Sequence, residues 1–249
     1  MSLIVPPDHP RYYSLLYRER IVEKAKEGVV VLQGLIAHGR GEAFDYMMGE
    51  RTTPAALKAE KAAVALLKLA KHPVISVNGN LAALVPREIV MLSKALNAPL
   101  EVNLFYRSEE RAKRIADLLK AHGAEEVLWK PDAEIEGLSS ERRKVTRRGI
   151  ASADVVLVAL EDGDRTEALK RVGKKVIAID LNPFSRTARM ADITIVDNVI
   201  RAIPNMIKFA EEMSEEECKR TLEDFDNSLN LRESAKYLKE WVQRMIEEL

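Results

Sequence analysis

Short runs of β-branched and aliphatic residues recur along this chain, separated by segments whose apolar residues return every three or four positions. The runs are Val29–Leu32, Val74–Val77, Leu100–Phe105, Glu126–Trp129, Asp154–Leu160, Lys175–Leu181 and Ile193–Val196. Apolar character unbroken by polar alternation suits strands buried on both faces, as parallel strands are. Helical segments between most of them supply the crossovers that parallel strands need. The expected fold is therefore α/β: a Rossmann-like, doubly wound, mostly parallel sheet in one domain spanning 1–249.

Punctuation along the chain agrees with this alternation. The apolar spacing predicts a helix over Tyr12–Lys26 that stops at Gly28, and Thr53-Pro54 opens a long helix reaching about His72. Pro86–Leu96 reads as a further helix, and Ser108 caps another that Gly123 ends. Lys130–Glu141 reads as a surface loop. From Val199 the pattern is helical to Leu249, with breaks near Ser214 and Ser228. Val199, Ile203, Met206, Ile207 and Ala210, then Leu229, Leu231, Tyr237, Leu238, Trp241 and Met245, exceed what a solvated tail needs, so these helices should pack on the sheet or on a second subunit.

Composition removes several classes of function. With 39 Lys+Arg against 39 Asp+Glu, no global field favours nucleic acid or an anionic membrane, so any anion site must be local. A lone cysteine, Cys218 in a Glu-rich helical stretch, excludes an intramolecular disulfide or a cysteine zinc cluster and reads as a small helix residue. His9, His38, His72 and His122 stand apart, so no dedicated metal centre is expected; magnesium carried on nucleotide phosphates stays compatible. The start lacks a secretory pattern and no apolar run is long enough to span a membrane, which leads to the expectation of a cytoplasmic protein. Charged residues reach 31% while Gln33 and Gln243 are the only glutamines, a bias that suits growth at high temperature.

In open α/β sheets ligands sit beyond the carboxyl ends of the strands. After the first run, Gly34, Gly39 and Gly41 flank His38 and Arg40. The spacing nearly spells a phosphate loop, but Arg40 replaces its lysine and Gly41 its hydroxyl residue; Phe44 likewise replaces the third glycine of a dinucleotide fingerprint. What remains is an anion-accepting strand end with a forked donor, beside the alternative of a flexible turn with a solvated arginine. Asn78, Gly79 and Asn80 follow the second run and offer amides to a ligand, or simply make a turn. Arg107 reads as structural; the basic run Arg142-Arg143-Lys144 with Arg147-Arg148 suits phosphate contact, but a solvated helical face without interleaved aromatics is the preferred reading. The most polar loop lies between the last two runs: Asp180 and Asn182 stand at a strand end, suited to ribose or base edges, with Arg186 and Thr187 suited to phosphate.

Asp180-Leu181-Asn182-Pro183-Phe184-Ser185-Arg186-Thr187, closing on Ala191-Asp192 and Asn198, together with His38–Tyr46 and Val77–Asn80, resembles the archaeal phosphopantothenate synthetases, the 4-phosphopantoate:β-alanine ligases. The likeness runs over nearly the whole chain. It implies a homodimeric enzyme of coenzyme A synthesis that cleaves ATP to AMP and pyrophosphate. It also implies ATP contacts at Arg18, Arg40, Asp180, Leu181, Asn182, Arg186, Thr187, Asn198 and Val199. Loop placement adds Asn78, Gly79 and Asn80 on the phosphopantoate side. Arg40 and Arg186, with Mg²⁺, are then expected to stabilise phosphate charge, and His38 is the candidate base for the β-alanine amine. Two rival readings share the fold: an NAD(P)-dependent oxidoreductase, and a non-catalytic nucleotide-binding regulatory protein.

Overall fold

The computed structural model describes residues 6, 8, 9 and 11–249. Three helices come first: α1 (Tyr12–Lys26), α2 (Leu32–Met47) and α3 (Pro54–Leu69). Then follow β1 (Pro73–Val77), α4 (Gly79–Leu84), α5 (Pro86–Leu96), β2 (Leu100–Val102) and α6 (Glu109–Ala121). Two-residue strands β3 (Ala133–Glu134) and β4 (Lys144–Val145) pair antiparallel within the next segment. The chain continues through β5 (Val155–Ala159), α7 (Gly163–Arg171), β6 (Lys175–Ile179), α8 (Arg186–Met190) and β7 (Ile193–Ile195). It ends in α9 (Val199–Glu212), α10 (Glu215–Glu223) and α11 (Asn227–Glu247).

The main sheet has the order β2-β1-β5-β6-β7, with every pairing parallel. Order reverses at β1/β5, which is where a doubly wound sheet opens a crevice beyond its carboxyl ends. Side chains alternate between two cores as the pleat requires. Val155, Leu157 and Ala159 of β5 face one with Ala63, Ile89 and Ile203 of α3, α5 and α9, whereas Val156 and Val158 face another with Ile150, Ala168 and Leu169. Both faces are therefore covered, as the unbroken apolar runs require.

Helix ends follow local chemistry. Thr53 Oγ1 accepts from Ala56 N at 3.1 Å beside Pro54 in the first turn, and Ser108 Oγ accepts from Arg111 N at 3.1 Å. Ser214 starts α10 with a capping box, while Asp226 rather than Ser228 opens α11, its carboxylate accepting from Leu229 N at 2.7 Å. Cys218 is buried within α10.

Two expected strands are not strands. Val29 and Val30 are buried, but both donate their backbone N–H to the Lys24 carbonyl, at 2.9 and 3.1 Å, closing α1 around a left-handed Gly28. The chain then enters α2 at Leu32; β-branched residues mark a dive into the core there, not a sheet neighbour. Glu126–Trp129 gives only an isolated parallel bridge, Glu101 to Leu128, at the sheet edge. As a consequence Gly34, Gly39 and Gly41 lie inside α2 and no glycine-rich phosphate loop forms. Gly34 instead lets α4 approach: a Cβ there would sit 2.5 Å from Asn80 Oδ1.

Candidate functional site

Beyond β6 the chain turns through a self-braced segment. Asp180 N donates to Ile195 O at 3.0 Å, holding the ends of β6 and β7 together. The Asp180 carboxylate accepts from Asn182 N at 2.9 Å and from Ser185 Oγ, and Asn182 Oδ1 accepts from Phe184 N at 2.9 Å. Ser185 then caps α8 through Ala188 N at 2.9 Å. Burial pushes the Asp180 carboxyl above its usual value, opposed by those hydrogen bonds and by the positive charge of Arg40. The charge of Arg40 on α2 is thus felt at the turn, although Arg40 is in a helix and not on a loop.

Arg186 opens α8 on the solvent side, ion-paired with Asp164 and lying over Gly163, where a Cβ would come 2.4 Å from its Nε. Thr187 is buried and donates to Glu161 O at 3.0 Å, tying α8 to the segment after β5. Leu181 and Val199 border a small cavity of about 20 Å³ that His38, Gly41, Leu160 and Asn198 also line.

A larger cleft of about 380 Å³ opens between α1, α2 and the start of α9, next to this cavity and sharing His38, Glu42 and Asn198 with it. Arg18 reaches across from α1, its Nε donating to Glu42 at 2.9 and 3.1 Å, while its side chain stays 40% exposed. His38 is buried, which pushes its imidazole below the ordinary value despite the Glu42 carboxylate 3.9 Å away. Its Nε2 has no hydrogen-bond partner among the described residues, and the imidazole stands at the junction of cleft and cavity.

Asn198 caps α9 and donates from Nδ2 to Asp45 at 2.8 Å. Arg201 bridges Asp45 and Asp197, and Thr52 Oγ1 donates to Asp197 at 2.6 Å. Glu60 lies buried behind them with Asn205 Nδ2 at 3.0 Å; burial, then the Asp197 charge, push its carboxyl up to about 9. Sequence reading missed Asp45, Glu60, Asp197 and Arg201, which stand far apart in the chain and form no motif.

Asn78, Gly79 and Asn80 do reach a cleft, of about 140 Å³, at the β1/β5 switch point. Their amides are already committed. Asn78 Nδ2 donates to Ala159 O at 2.7 Å and its Oδ1 accepts from Leu81 N at 3.0 Å, while Asn80 Nδ2 donates to Gly34 O at 2.8 Å. They shape the crevice floor. Its charge comes from Arg111, which forms no motif, and from Arg142 of the basic run, which is 7% exposed and donates to Glu161 at 2.6 Å. The basic run holding Arg142 is thus not a solvated helical face; it passes through a 3-10 turn at Glu141–Arg143 into β4, and one of its arginines turns inward. Arg107 is structural as read, donating to Trp129 O at 2.6 Å.

The crevice at the β1/β5 switch point shares Leu160 with the small cavity, which in turn shares His38, Glu42 and Asn198 with the larger cleft. The sequence pattern of the phosphopantothenate/pantothenate synthetase family matches residues 55–241. The chain belongs to that family. It is 55% identical to a 4-phosphopantoate–β-alanine ligase of Thermococcus kodakarensis, over 98% of this chain and 95% of that protein. Ligases of the same name from Methanosarcina mazei, 54% identical over 98% of each chain, and Methanospirillum hungatei, 49% over 95% and 97%, are similar along the same length. Within the synthetase family, the dinucleotide reading loses its only motif, because the glycines that suggested it are helical.

Proposed function

We propose that this chain condenses 4-phosphopantoate with β-alanine to 4′-phosphopantothenate, with ATP cleaved to AMP and pyrophosphate, as a step of coenzyme A synthesis. The observation that carries the reading is full-length similarity to ligases of that name in a chain whose β6–β7 turn gathers Asp180, Arg186 and Arg40. Such a donor set fits a nucleotide polyphosphate: Arg18, Arg40 and Arg186 supply forked charges, and Asp180 with Asn182 suits ribose hydroxyls. Leu181, Thr187, Asn198 and Val199 complete the nucleotide surface. Mg²⁺ carried on the phosphates would neutralise part of their charge.

A carboxylate does not yield to an amine at neutral pH because oxide is its leaving group. The acid oxygen therefore attacks the α-phosphorus, the bond to the bridging oxygen breaks, and pyrophosphate leaves an acyl-adenylate. Arg40 and Arg186 stabilise charge developing on the phosphates. The neutral amine of β-alanine then attacks the acyl carbon, AMP departs, and the amine gives up a proton. His38, buried and neutral, is the group we assign to receive it.

The acid lies in the crevice over Asn78, Gly79 and Asn80, on the far side of Leu160. We read residues 1–249 as one ligase domain acting in the cytoplasm as a homodimer. Exposed Leu32, Ile36, Tyr46 and Met47 of α2, beside exposed Leu229, Val242 and Ile246 of α11, support that assembly. Sedimentation at two concentrations tests it. The chemistry is tested with phosphopantoate carrying oxygen-18 in its carboxylate, β-alanine and MgATP. One labelled oxygen should appear in AMP; label in inorganic phosphate with ADP would replace the adenylate by an acyl phosphate, and no amide product would end the proposal.

A further inference from the structure

His38 and Glu42 stand four residues apart on α2, the spacing that puts two side chains on one helix face. Both border the larger cleft and the small cavity beside it. His38 is only 8% exposed, and its Nε2 has no hydrogen-bond partner among the described residues; Glu42 Oε2 lies 3.9 Å from it. Glu42 is in turn fixed from α1, accepting from Arg18 Nε at 2.9 and 3.1 Å and from Ser14 Oγ at 3.2 Å. Burial keeps the imidazole uncharged at neutral pH, against the pull of Glu42 and Asp45 and with the help of the Arg18 charge. A neutral imidazole carries its proton on one nitrogen and a lone pair on the other. A carboxylate facing Nε2 attracts a proton there and repels a lone pair, so the two tautomers are unequal in energy at this position.

We infer that Glu42 fixes the tautomer of His38, holding the ring proton on Nε2 and leaving Nδ1 as the nitrogen that accepts a proton in the reaction. Glu42 is thus a positioning residue: it acts through His38 and touches no reacting atom. The catalytic part of the inference rests on the ligase reading above. In that reaction an N–H bond of the attacking amine breaks as the Nδ1–H bond forms, and the electron pair stays on the nitrogen of the new amide. His38 becomes an imidazolium, which later gives the proton to water in the larger cleft. Glu42 stays ionised throughout, and its attraction for the Nε2–H group strengthens while the ring is charged. Arg18 and Ser14 keep the carboxylate from turning away to solvent. The pair also joins the two helices that bound the cleft, since the carboxylate that faces His38 from α2 is the one that Arg18 grips from α1.

The test reads the tautomer directly, by nitrogen-15 NMR of protein labelled at its four histidines, at about pH 8, above the ordinary histidine value. The signal that vanishes in H38Q is that of His38. Wild type should carry the proton on Nε2. E42A should lose that preference and lower kcat by about ten- to a hundredfold, less than removal of a base itself. E42Q, which keeps a carbonyl acceptor without the charge, should retain the tautomer and recover part of the rate. R18M breaks the same ion pair between helices, so a merely structural role for Glu42 would make it behave like E42A; instead it should keep the tautomer and raise the KM for ATP. Only folded molecules give the dispersed His38 signal, so partial misfolding leaves the tautomer readable. A proton on Nδ1 in wild type, or an unchanged tautomer in E42A, would overturn the inference while amide formation by wild type keeps the ligase reading. No amide product from wild type would end that reading and the catalytic role with it, whatever the tautomer.

Discussion

Asn198 donates from its side-chain nitrogen to Asp45 Oδ2 at 2.8 Å, joining the α9 cap to the last turn of α2 across a separation of 153 positions. This bond and the Arg201 bridge from Asp45 to Asp197 hold one wall of the larger cleft. The polar cluster therefore fixes where the α9 cap stands relative to His38, which enters the cleft from α2.

Asp45→Ala should expose that dependence. Asp45 is buried, and its removal leaves Asn198 Nδ2 without its acceptor while Arg201 retains only Asp197. A loss of about 2–4 kcal/mol in chemical denaturation is expected from a broken, largely buried pair, together with a raised KM for ATP. A variant with wild-type stability would show that the cluster does not hold the wall.

Glu60 makes stability depend on pH in a definite direction. Its carboxyl is raised from 4.5 to about 9 in the folded chain, so below pH 4.5 it is protonated whether folded or not. As pH rises from there to about 9, the unfolded chain ionises and the folded chain keeps its proton, so this group's contribution to stability declines throughout that window. Glu60→Gln keeps a carbonyl for Asn205 and cannot ionise. Relative to wild type it should gain on the order of 1 kcal/mol per pH unit between about pH 5 and pH 9. Parallel denaturation curves at both ends of that range would contradict the raised carboxyl.

What the sequence disclosed followed from local rules. Tyr12–Lys26 and Pro86–Leu96 were bounded as observed, because spacing, Gly28 and Pro86 act within a turn or two. Strands β5, β6 and β7 were legible because burial on both faces leaves an apolar run with no other explanation. Val29–Leu32 has the same composition for another reason, a plunge into the core between two helices, and composition cannot separate the two. That single misreading placed three glycines on a loop. The β6–β7 turn was visible because its polar residues are consecutive, whereas Arg111, Arg142 and Glu161, or Asp45, Glu60 and Asp197, meet only through tertiary packing.

The helical placement of those glycines separates two substitutions that a phosphate loop would penalise alike. Gly39→Ala meets no atom within 4 Å, so it should stabilise the chain by about 0.5–1 kcal/mol. Gly34→Ala places its Cβ 2.5 Å from Asn80 Oδ1 and 2.9 Å from Val30 Cγ1, which forces α2 away from α4. A cost of about 1–3 kcal/mol follows from overpacking. Thermal melts of the two variants should move in opposite directions, and movement in the same direction would deny the helix.

Arg186→Ala addresses the nucleotide end. The side chain is half exposed, pairs among the described residues with the more exposed Asp164 and rests on Gly163, so removing it takes little from the fold and melting should stay near wild type. Turnover should respond differently. A guanidinium aimed at charge that develops on the phosphates acts mainly in the transition state, and its loss should lower kcat by about a hundred- to a thousandfold. A lysine there keeps charge but not the fork and should recover only part of the rate. If Arg186→Ala instead turns over at the wild-type rate with unchanged KM for ATP, the triphosphate lies elsewhere, and Arg40 on α2 and Arg18 on α1 become the groups to vary.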